Sequence, residues 1–157
     1  MNKRVVDEWL LTAYKVLADV KIFNEKKEKN PDEKDKYDRI VIDNTIDKSW
    51  RGQIASFGAA IAMGSLTSAV AFFCTQGGAK LNRSLLLKAI WMLLTKKGDD
   101  FANWPLNENG KEKAVGEVMY SFVDARVKAD PEKAKEDFIN AAIALKLAMN
   151  LYALKEG

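Results

Sequence analysis

The chain has 157 residues, 25 Lys and Arg against 22 Asp and Glu, a formal net charge of +3, one cysteine and no histidine. Its length and its 48% of apolar residues predict one folded domain over residues 1–157 and exclude a globally disordered chain. The lack of histidine excludes serine–histidine and cysteine–histidine catalysis and imidazole metal sites, and one cysteine excludes an internal disulfide, a zinc thiolate site and an iron–sulfur cluster.

The first predicted element is an amphipathic helix, because apolar residues recur every three or four positions from Val6 to Phe23. The basic start of the chain does not lead into a secretory signal peptide, since Asp7 and Glu8 interrupt it and no cleavage site follows. A single cysteine is typical of a reducing compartment. We therefore expect a cytoplasmic protein.

A highly charged segment, residues 25–36, follows with five acids, five lysines and no apolar residue. Its composition predicts a solvated helix end and loop. Within this segment, Asn30 before Pro31 is a typical helix start, with Asn as the N-cap and Pro at the first helical position. We expect a second helix to run from there through Val41 and to continue less regularly to Ile61.

Residues 52–79 carry no charge, and about 20 apolar residues suffice to span a bilayer. However, glycine, serine and threonine dilute this stretch, and its large apolar residues recur at helical spacing on one side of a helix instead of covering every side of it. Gly64 followed by Ser65 predicts a break, with Ser65 as the N-cap of the next helix. The pattern favours two closely packed core helices over a transmembrane helix, so we expect no contact with a membrane.

The next predicted helix is capped by Asn82 and ends before Gly98. Residues 98–111 are rich in turn-forming residues and are predicted to be a solvated loop. A further amphipathic stretch begins at Val115.

The last predicted helix begins at Asp130-Pro131 and runs to about Leu154. No alternating strand pattern occurs in the chain, so the predicted fold is all-α, a compact single-domain bundle of about six helices. The last helix is apolar on two faces, which indicates either a central position or a partner on its second face. The first face holds Phe138, Ala142, Leu145, Met149 and Tyr152, and the second holds Ile139, Ile143, Leu147, Leu151 and Leu154.

Residues that could carry catalysis do not occur in the spacings that catalytic or metal sites need. Asp43 and Asp47 would share a helix face at i,i+4, and Asp99 is followed by Asp100, but neither pair has the ligand spacing of a Mg²⁺ or Ca²⁺ site. Cys74 lies among apolar residues, where a thiol is usually inert. No glycine-rich phosphate loop occurs. We therefore expect no catalytic residue, no metal site, no cofactor and no enzymatic activity.

Basic residues are concentrated in the middle of the sequence. Residues 48–98 carry a net charge of +7 and no acid, so the rest of the chain carries −4. Such a concentration favours contact with a polyanion, because Lys and Arg displace counterions from phosphates. The alternative is that these cations merely solvate the ends of an apolar segment. The candidate phosphate contacts are Arg51, Lys146, Lys48, Lys80, Arg83 and Lys88.

Arg51 and Lys146 are the two most distinctive of these cations. Arg51 precedes a run of small residues, where a long side chain can reach across closely packed helices. Lys146 is the only formal charge between Phe138 and Leu154. A phosphate or interface contact is one interpretation of Lys146, and a lysine whose stem lies along the apolar core is the other.

Several short packing motifs carry a family resemblance. They are Trp50-Arg51-Gly52-Gln53, Phe57-Gly58, Met63-Gly64-Ser65-Leu66, Ala69-Val70-Ala71-Phe72-Phe73 and Leu145-Lys146-Leu147-Ala148-Met149-Asn150-Leu151-Tyr152. In these motifs, and in length and predicted helix order, the chain resembles the small α-helical subunit of type III-B (Cmr-type) CRISPR effector complexes.

This resemblance implies a non-enzymatic subunit of an antiviral defence complex. Copies of such subunits stack into a filament beside the subunits that hold the guide RNA, and they help form the channel in which the target RNA pairs with the guide. Cleavage and nucleotide signalling belong to other subunits. The implied partners are therefore the other effector subunits, guide RNA and target RNA. Arg51 and Lys146 lie within the matching segments, whereas Lys48, Lys80, Arg83 and Lys88 rest on the charge distribution alone.

Two other hypotheses remain open at this point. The two-faced last helix is also typical of a helical adaptor that binds only protein. A DNA-binding regulator with a helix-turn-helix fits less well, because it needs a polar recognition helix and the helix predicted over residues 82–97 faces mostly the core.

Overall fold

The structure is a computed structural model that describes residues 1–24, 36–74, 81–98 and 100–155. These residues are mostly helical, as the hydrophobic periodicity predicts. The helices of the described residues are α1 (Lys3–Asp19), α2 (Ser49–Met63), α3 (Leu66–Phe73), α4 (Ser84–Thr95), α5 (Val115–Ala129) and α6 (Pro131–Met149).

The last helix, α6, lies at the centre of the fold. It packs against α1 and α2 most extensively and also against α4 and α5. Its first apolar face is buried, with Phe138, Leu145 and Met149 fully inaccessible to solvent. On its second face Ile139 and Ile143 are half-buried against the same core. The central position predicted as one explanation of its two apolar faces is therefore confirmed.

Two predicted helix starts are confirmed by their capping hydrogen bonds. The Ser65 hydroxyl accepts a hydrogen bond from the backbone N–H of Ser68 at 3.1 Å. The Asp130 carboxylate accepts one from the backbone N–H of Lys133 at 3.1 Å, and Pro131 occupies the first helical position. In each case the side chain satisfies a donor that the first turn of the helix leaves unpaired.

The expectation of a purely all-α fold is wrong, because two small sheets lie within the described residues. In the first, β1 (Lys21–Phe23) pairs antiparallel with β2 (Tyr37–Arg39). In the second, β3 (Val41–Ile42) pairs antiparallel with β4 (Thr45–Asp47), and β4 pairs in parallel with β5 (Ala153–Lys155). The strands contain two or three residues each, too few for an alternating pattern to show in the sequence.

The second predicted helix is wrong over residues 37–47, which form β2, β3 and β4. The turn between β3 and β4 consists of Asp43 and Asn44, whose φ angles are +51° and +63°. Positive φ at both central positions is typical of a two-residue type I′ hairpin turn, and Asp and Asn tolerate that conformation better than most residues. Consequently Asp43 and Asp47 do not share a helix face. The predicted helix start at Asn30-Pro31 lies outside the described residues, as does segment 25–36 except for its last residue.

The last helix is shorter than predicted and ends at Met149 instead of about Leu154. Beyond it, Tyr152 turns inward, stacks on the Tyr14 ring with centroids 4.4 Å apart, and donates its hydroxyl hydrogen to the Tyr14 carbonyl at 2.7 Å. Residues 153–155 then pair with β4. The strand pairing provides partners for backbone groups that a longer helix would otherwise bond within itself.

The uncharged stretch is divided between α2 and α3 at Gly64, as predicted. Within the part of the chain that the structure describes, no helix has both the length and the apolar composition needed to cross a bilayer. Between α4 and α5 the described residues form no helix, and Leu106 pairs with Glu112 across an isolated bridge.

Candidate nucleic-acid interface

The cations singled out in the sequence occupy three kinds of environment. Arg83 and Lys88 are buried, while Lys48, Arg51 and Lys146 reach the surface to different degrees. Lys80, the sixth candidate, lies outside the described residues. The structure therefore does not gather the described candidates into one continuous patch.

Arg83 is held between aromatic rings just before α4. Its guanidinium carbon lies 4.7 Å from the ring centroid of Phe72 and 5.1 Å from that of Phe73. One terminal nitrogen donates to the Phe72 carbonyl at 3.5 Å. These contacts join α3 to the start of α4, and a phosphate at Arg83 would have to compete with them.

Lys88 carries a buried ammonium in the middle of α4. Its Nζ donates to the carboxylate Oε2 of Glu112 at 2.6 Å and to the carbonyl of Lys21 at 2.8 Å. The same nitrogen lies 4.9 Å from the ring centroid of Trp104. Lys88 thus ties α4 to β1 and to the segment before α5, and its charge is balanced inside the protein.

Lys48 and Arg51 lie at the beginning of α2. Lys48 is exposed, and Arg51 is partly exposed with its Nε buried and without a hydrogen-bond partner among the described residues. The backbone N–H of Ser49 donates to the Asp47 carboxylate at 2.8 Å. The N-terminus of a helix carries partial positive charge, which the Asp47 carboxylate offsets in part and to which Lys48 and Arg51 add.

Lys146 lies in the last turn of α6 and is half-buried. The parallel pairing of β4 with β5 sets Ala153, just after α6, opposite Thr45, and sets Lys155 opposite Asp47 at the other end of β4, just before α2. At this junction the backbone N–H of Lys48 donates to the Lys155 carbonyl at 2.8 Å. We call Lys48, Arg51 and Lys155 the basic end.

A second group of cations and rings was missed in the sequence analysis. The antiparallel pairing of β1 with β2 sets Lys21 opposite Arg39 and Phe23 opposite Tyr37. Beside these strands is a cavity of about 630 Å³ whose walls include Phe23, Tyr37 and Trp104. No strand signal occurs in the sequence here, because Lys21-Ile22-Phe23 and Tyr37-Asp38-Arg39 are three residues long and neither alternates between polar and apolar residues.

The described residues offer little support for covalent or metal chemistry. Burial raises the pKa of the Cys74 thiol, which lowers the fraction of reactive thiolate at neutral pH. Among the residues that the structure describes, no group of three or more Cys, Asp and Glu side chains could hold a metal ion.

Comparisons with known proteins give no relative for this chain: no protein-family model matches it, and neither does any curated protein or solved structure.

Proposed function

We propose that the chain is a non-catalytic structural subunit of a type III-B CRISPR ribonucleoprotein effector in antiviral defence, which stacks into a filament and contacts the target RNA backbone through basic residues. The observation that carries this proposal is the basic end, where Lys48 and Arg51 stand at the positive end of α2 beside Lys155. The packing motifs that resemble the small subunit of such complexes contain Arg51 and Lys146.

The basic end suits a phosphate backbone for two physical reasons. A helix N-terminus with two added cations attracts an anion regardless of base sequence. The arginine fork can bind two phosphate oxygens at once, which fixes position as well as supplying affinity. Part of the Arg51 side chain is accessible to such a ligand.

A subunit of this kind needs no base-reading side chains. In RNA-guided recognition the pairing of guide and target supplies sequence specificity, and protein contacts to the backbone supply position and affinity. The proposed partners are the other effector subunits, guide RNA, target RNA and further copies of this chain. The two buried candidates, Arg83 and Lys88, would support RNA binding indirectly, because they hold α3 and α4 in place.

One observation favours a second function, that of a helical protein adaptor without nucleic-acid contact. Three leucines at and beyond the end of α6 are accessible to solvent: Leu147 on α6, Leu151 in the following turn and Leu154 in β5 are 42%, 55% and 39% exposed. Large apolar side chains that remain accessible to solvent are typical of a surface that docks on a partner.

Gel filtration of the purified chain with and without single-stranded RNA at low salt separates the two functions. An RNA-contacting subunit should elute earlier together with the RNA, and the shift should vanish at high salt because phosphate contacts are salt-dependent. A pure adaptor should elute at the same volume in both runs. That second result would exclude the RNA contact from the proposal.

A further inference from the structure

One face of the β1–β2 ribbon carries two aromatic rings and two cations. Side chains alternate between the faces of a strand, and directly paired residues of antiparallel strands share a face, so Lys21, Phe23, Tyr37 and Arg39 lie together. Their contacts agree: the Lys21 Nζ is 4.5 Å and the Arg39 guanidinium 5.8 Å from the Tyr37 ring centroid. The Phe23 and Tyr37 rings meet edge to face at 5.6 Å. We call these four residues the ribbon face.

Two residues of the ribbon face, Phe23 and Tyr37, line the cavity of about 630 Å³, together with Ile22 from the opposite face of β1. Phe23 and Tyr37 form one wall, and Trp104 with Lys88, Lys111 and Lys113 forms much of the rest. This volume lies within the range of about 300 to 1,000 Å³ that is typical of small-molecule sites. The cavity is therefore large enough for one nucleotide.

The far wall of the cavity is held in place by bonds to the core. The Trp104 indole N–H donates to the Lys113 carbonyl at 2.8 Å, and its ring packs edge to face on Trp91 at 4.8 Å. The ion pair between Lys88 and Glu112 fastens the same segment to α4. A wall fixed in this way loses little conformational entropy when a ligand binds.

The charges around this surface favour an anionic ligand. Among the described residues of the cavity wall, Lys88 is paired with Glu112 at 2.6 Å and Lys113 with Glu117 at 3.8 Å. Lys111 on the wall and Lys21 on the ribbon face add further positive charge. Asp38 belongs to the opposite face of the ribbon, where its carboxylate accepts hydrogen bonds from the side-chain amides of Asn24 and Asn82.

We propose that the ribbon face and this cavity bind an unpaired nucleotide of a single-stranded RNA. Aromatic rings stack on exposed bases and cations contact the phosphates, which is the usual chemistry of single-strand recognition. A duplex hides the faces of its bases, so it can use only the cations. This inference rests on the proposed function in that the chain works on RNA, and it adds a surface distinct from the basic end.

The test is fluorescence anisotropy of a labelled, unstructured oligouridine RNA at low salt. Tyr37→Ala should weaken binding by roughly 5- to 150-fold, the range that loss of one stacked base gives. Tyr37→Phe should bind like wild type because it keeps the ring. Tyr120→Ala is the matched control, since Tyr120 is 72% exposed on α5 and should not affect binding. Circular dichroism of each variant checks that the fold is retained.

A second variant tests the cation side without disturbing the ribbon. Lys111 is exposed, so Lys111→Gln should leave the fold intact and lower the slope of log K against log salt by about 0.7. An RNA duplex should bind Tyr37→Ala and wild type equally. A free mononucleotide should displace the RNA only at much higher concentration, because it lacks the neighbouring phosphates.

The outcomes separate this surface from the basic end. If Tyr37→Ala binds single-stranded RNA like the Tyr120→Ala control while Arg51→Ala binds it more weakly, the ribbon face is overturned and the proposed function stands. If wild type binds no RNA, both are overturned. Displacement by uridine monophosphate at the concentration of the RNA itself would overturn the assignment to a strand, since a free nucleotide would then be the ligand.

Discussion

The ammonium of Lys88 and the carboxylate of Glu112 are 2.6 Å apart, yet the two side chains differ in exposure, at 8% for the lysine and 36% for the glutamate. Removing Glu112 is therefore not equivalent to removing Lys88. Without Glu112 a charge is left in the interior, whereas without Lys88 the glutamate can turn towards water. A buried charge that loses its partner is costly, and a solvated one is not.

This asymmetry predicts different stabilities for two variants. Glu112→Ala should lower the free energy of unfolding by about 2 kcal/mol, a value reduced from that of fully buried pairs because Glu112 is partly exposed. Lys88→Met, which keeps an apolar chain of similar volume, should cost about 1 kcal/mol or less. Urea unfolding followed by circular dichroism measures both. A larger loss for Lys88→Met than for Glu112→Ala would contradict the assigned burial.

The hairpin turn gives a second prediction. Asn44 has a φ angle of +63°, a conformation in which β-branched residues are strained. Asn44→Val should destabilise the protein by about 1 to 2 kcal/mol. Asn44→Gly is the matched control and should be at least as stable as wild type, since glycine adopts this conformation freely. Thermal unfolding of the three proteins compares their stabilities. Equal midpoints for the valine and glycine variants would contradict the positive φ angle at Asn44.

The Tyr152 hydroxyl predicts a change of stability at alkaline pH. Burial, with a smaller effect from Tyr14, raises the pKa of Tyr152 to about 12, above the value near 10 for an unfolded chain. The unfolded state therefore loses its proton first, so the stabilisation is complete below about pH 10 and is lost as the pH rises towards 12. Tyr152→Phe should be less stable by about 1 kcal/mol at neutral pH, because the bond to the Tyr14 carbonyl is gone.

Urea unfolding of wild type and Tyr152→Phe at intervals between pH 9 and 12 tests this dependence. The stability of wild type should fall more steeply over this range than that of the variant. Tyr120→Phe, which changes an exposed tyrosine, controls for general effects of the substitution. If the free energy of unfolding fell with pH in parallel for wild type and Tyr152→Phe, the Tyr152 hydroxyl would not have a raised pKa in the folded state.

Arg51 predicts the salt dependence of RNA binding. Each phosphate contact made by a cation contributes to the slope of log K against log salt, so Arg51→Ala should flatten that slope by roughly 0.7 to 0.9. Arg4→Ala removes an exposed arginine that pairs with Glu8 on α1, and it should leave the slope unchanged. An unchanged slope for Arg51→Ala would remove Arg51 from the phosphate contacts.

The helices could be predicted from the sequence because their apolar residues repeat at the helical period and their caps are local. Ser65 and Asp130 each bond a backbone N–H three residues away, so the cap and its partner can be read together. The strands could not be predicted in this way. The strand Ala153–Lys155 depends on pairing with Thr45–Asp47 more than 100 residues away, and no local pattern records that contact.

The candidate surfaces were predictable to a similar extent. The charge distribution indicated Arg51, and an apolar helix with one charge indicated Lys146, but only the pairing of β4 with β5 brings Lys155 to Lys48 at the beginning of α2. The burial of Lys88 could not be inferred, because its partner Glu112 is 24 residues away and directly follows the predicted loop 98–111. The ribbon face was missed because the helix predicted through Val41 covered Tyr37 and Arg39.

Copurification of the tagged chain from its native host tests the central proposal most directly. A subunit of a type III-B effector should bring with it several partner proteins in fixed ratio and a guide RNA of uniform length, and mild nuclease treatment should not release the chain. Recovery of the chain alone, or with protein partners but no guide RNA, would contradict the account.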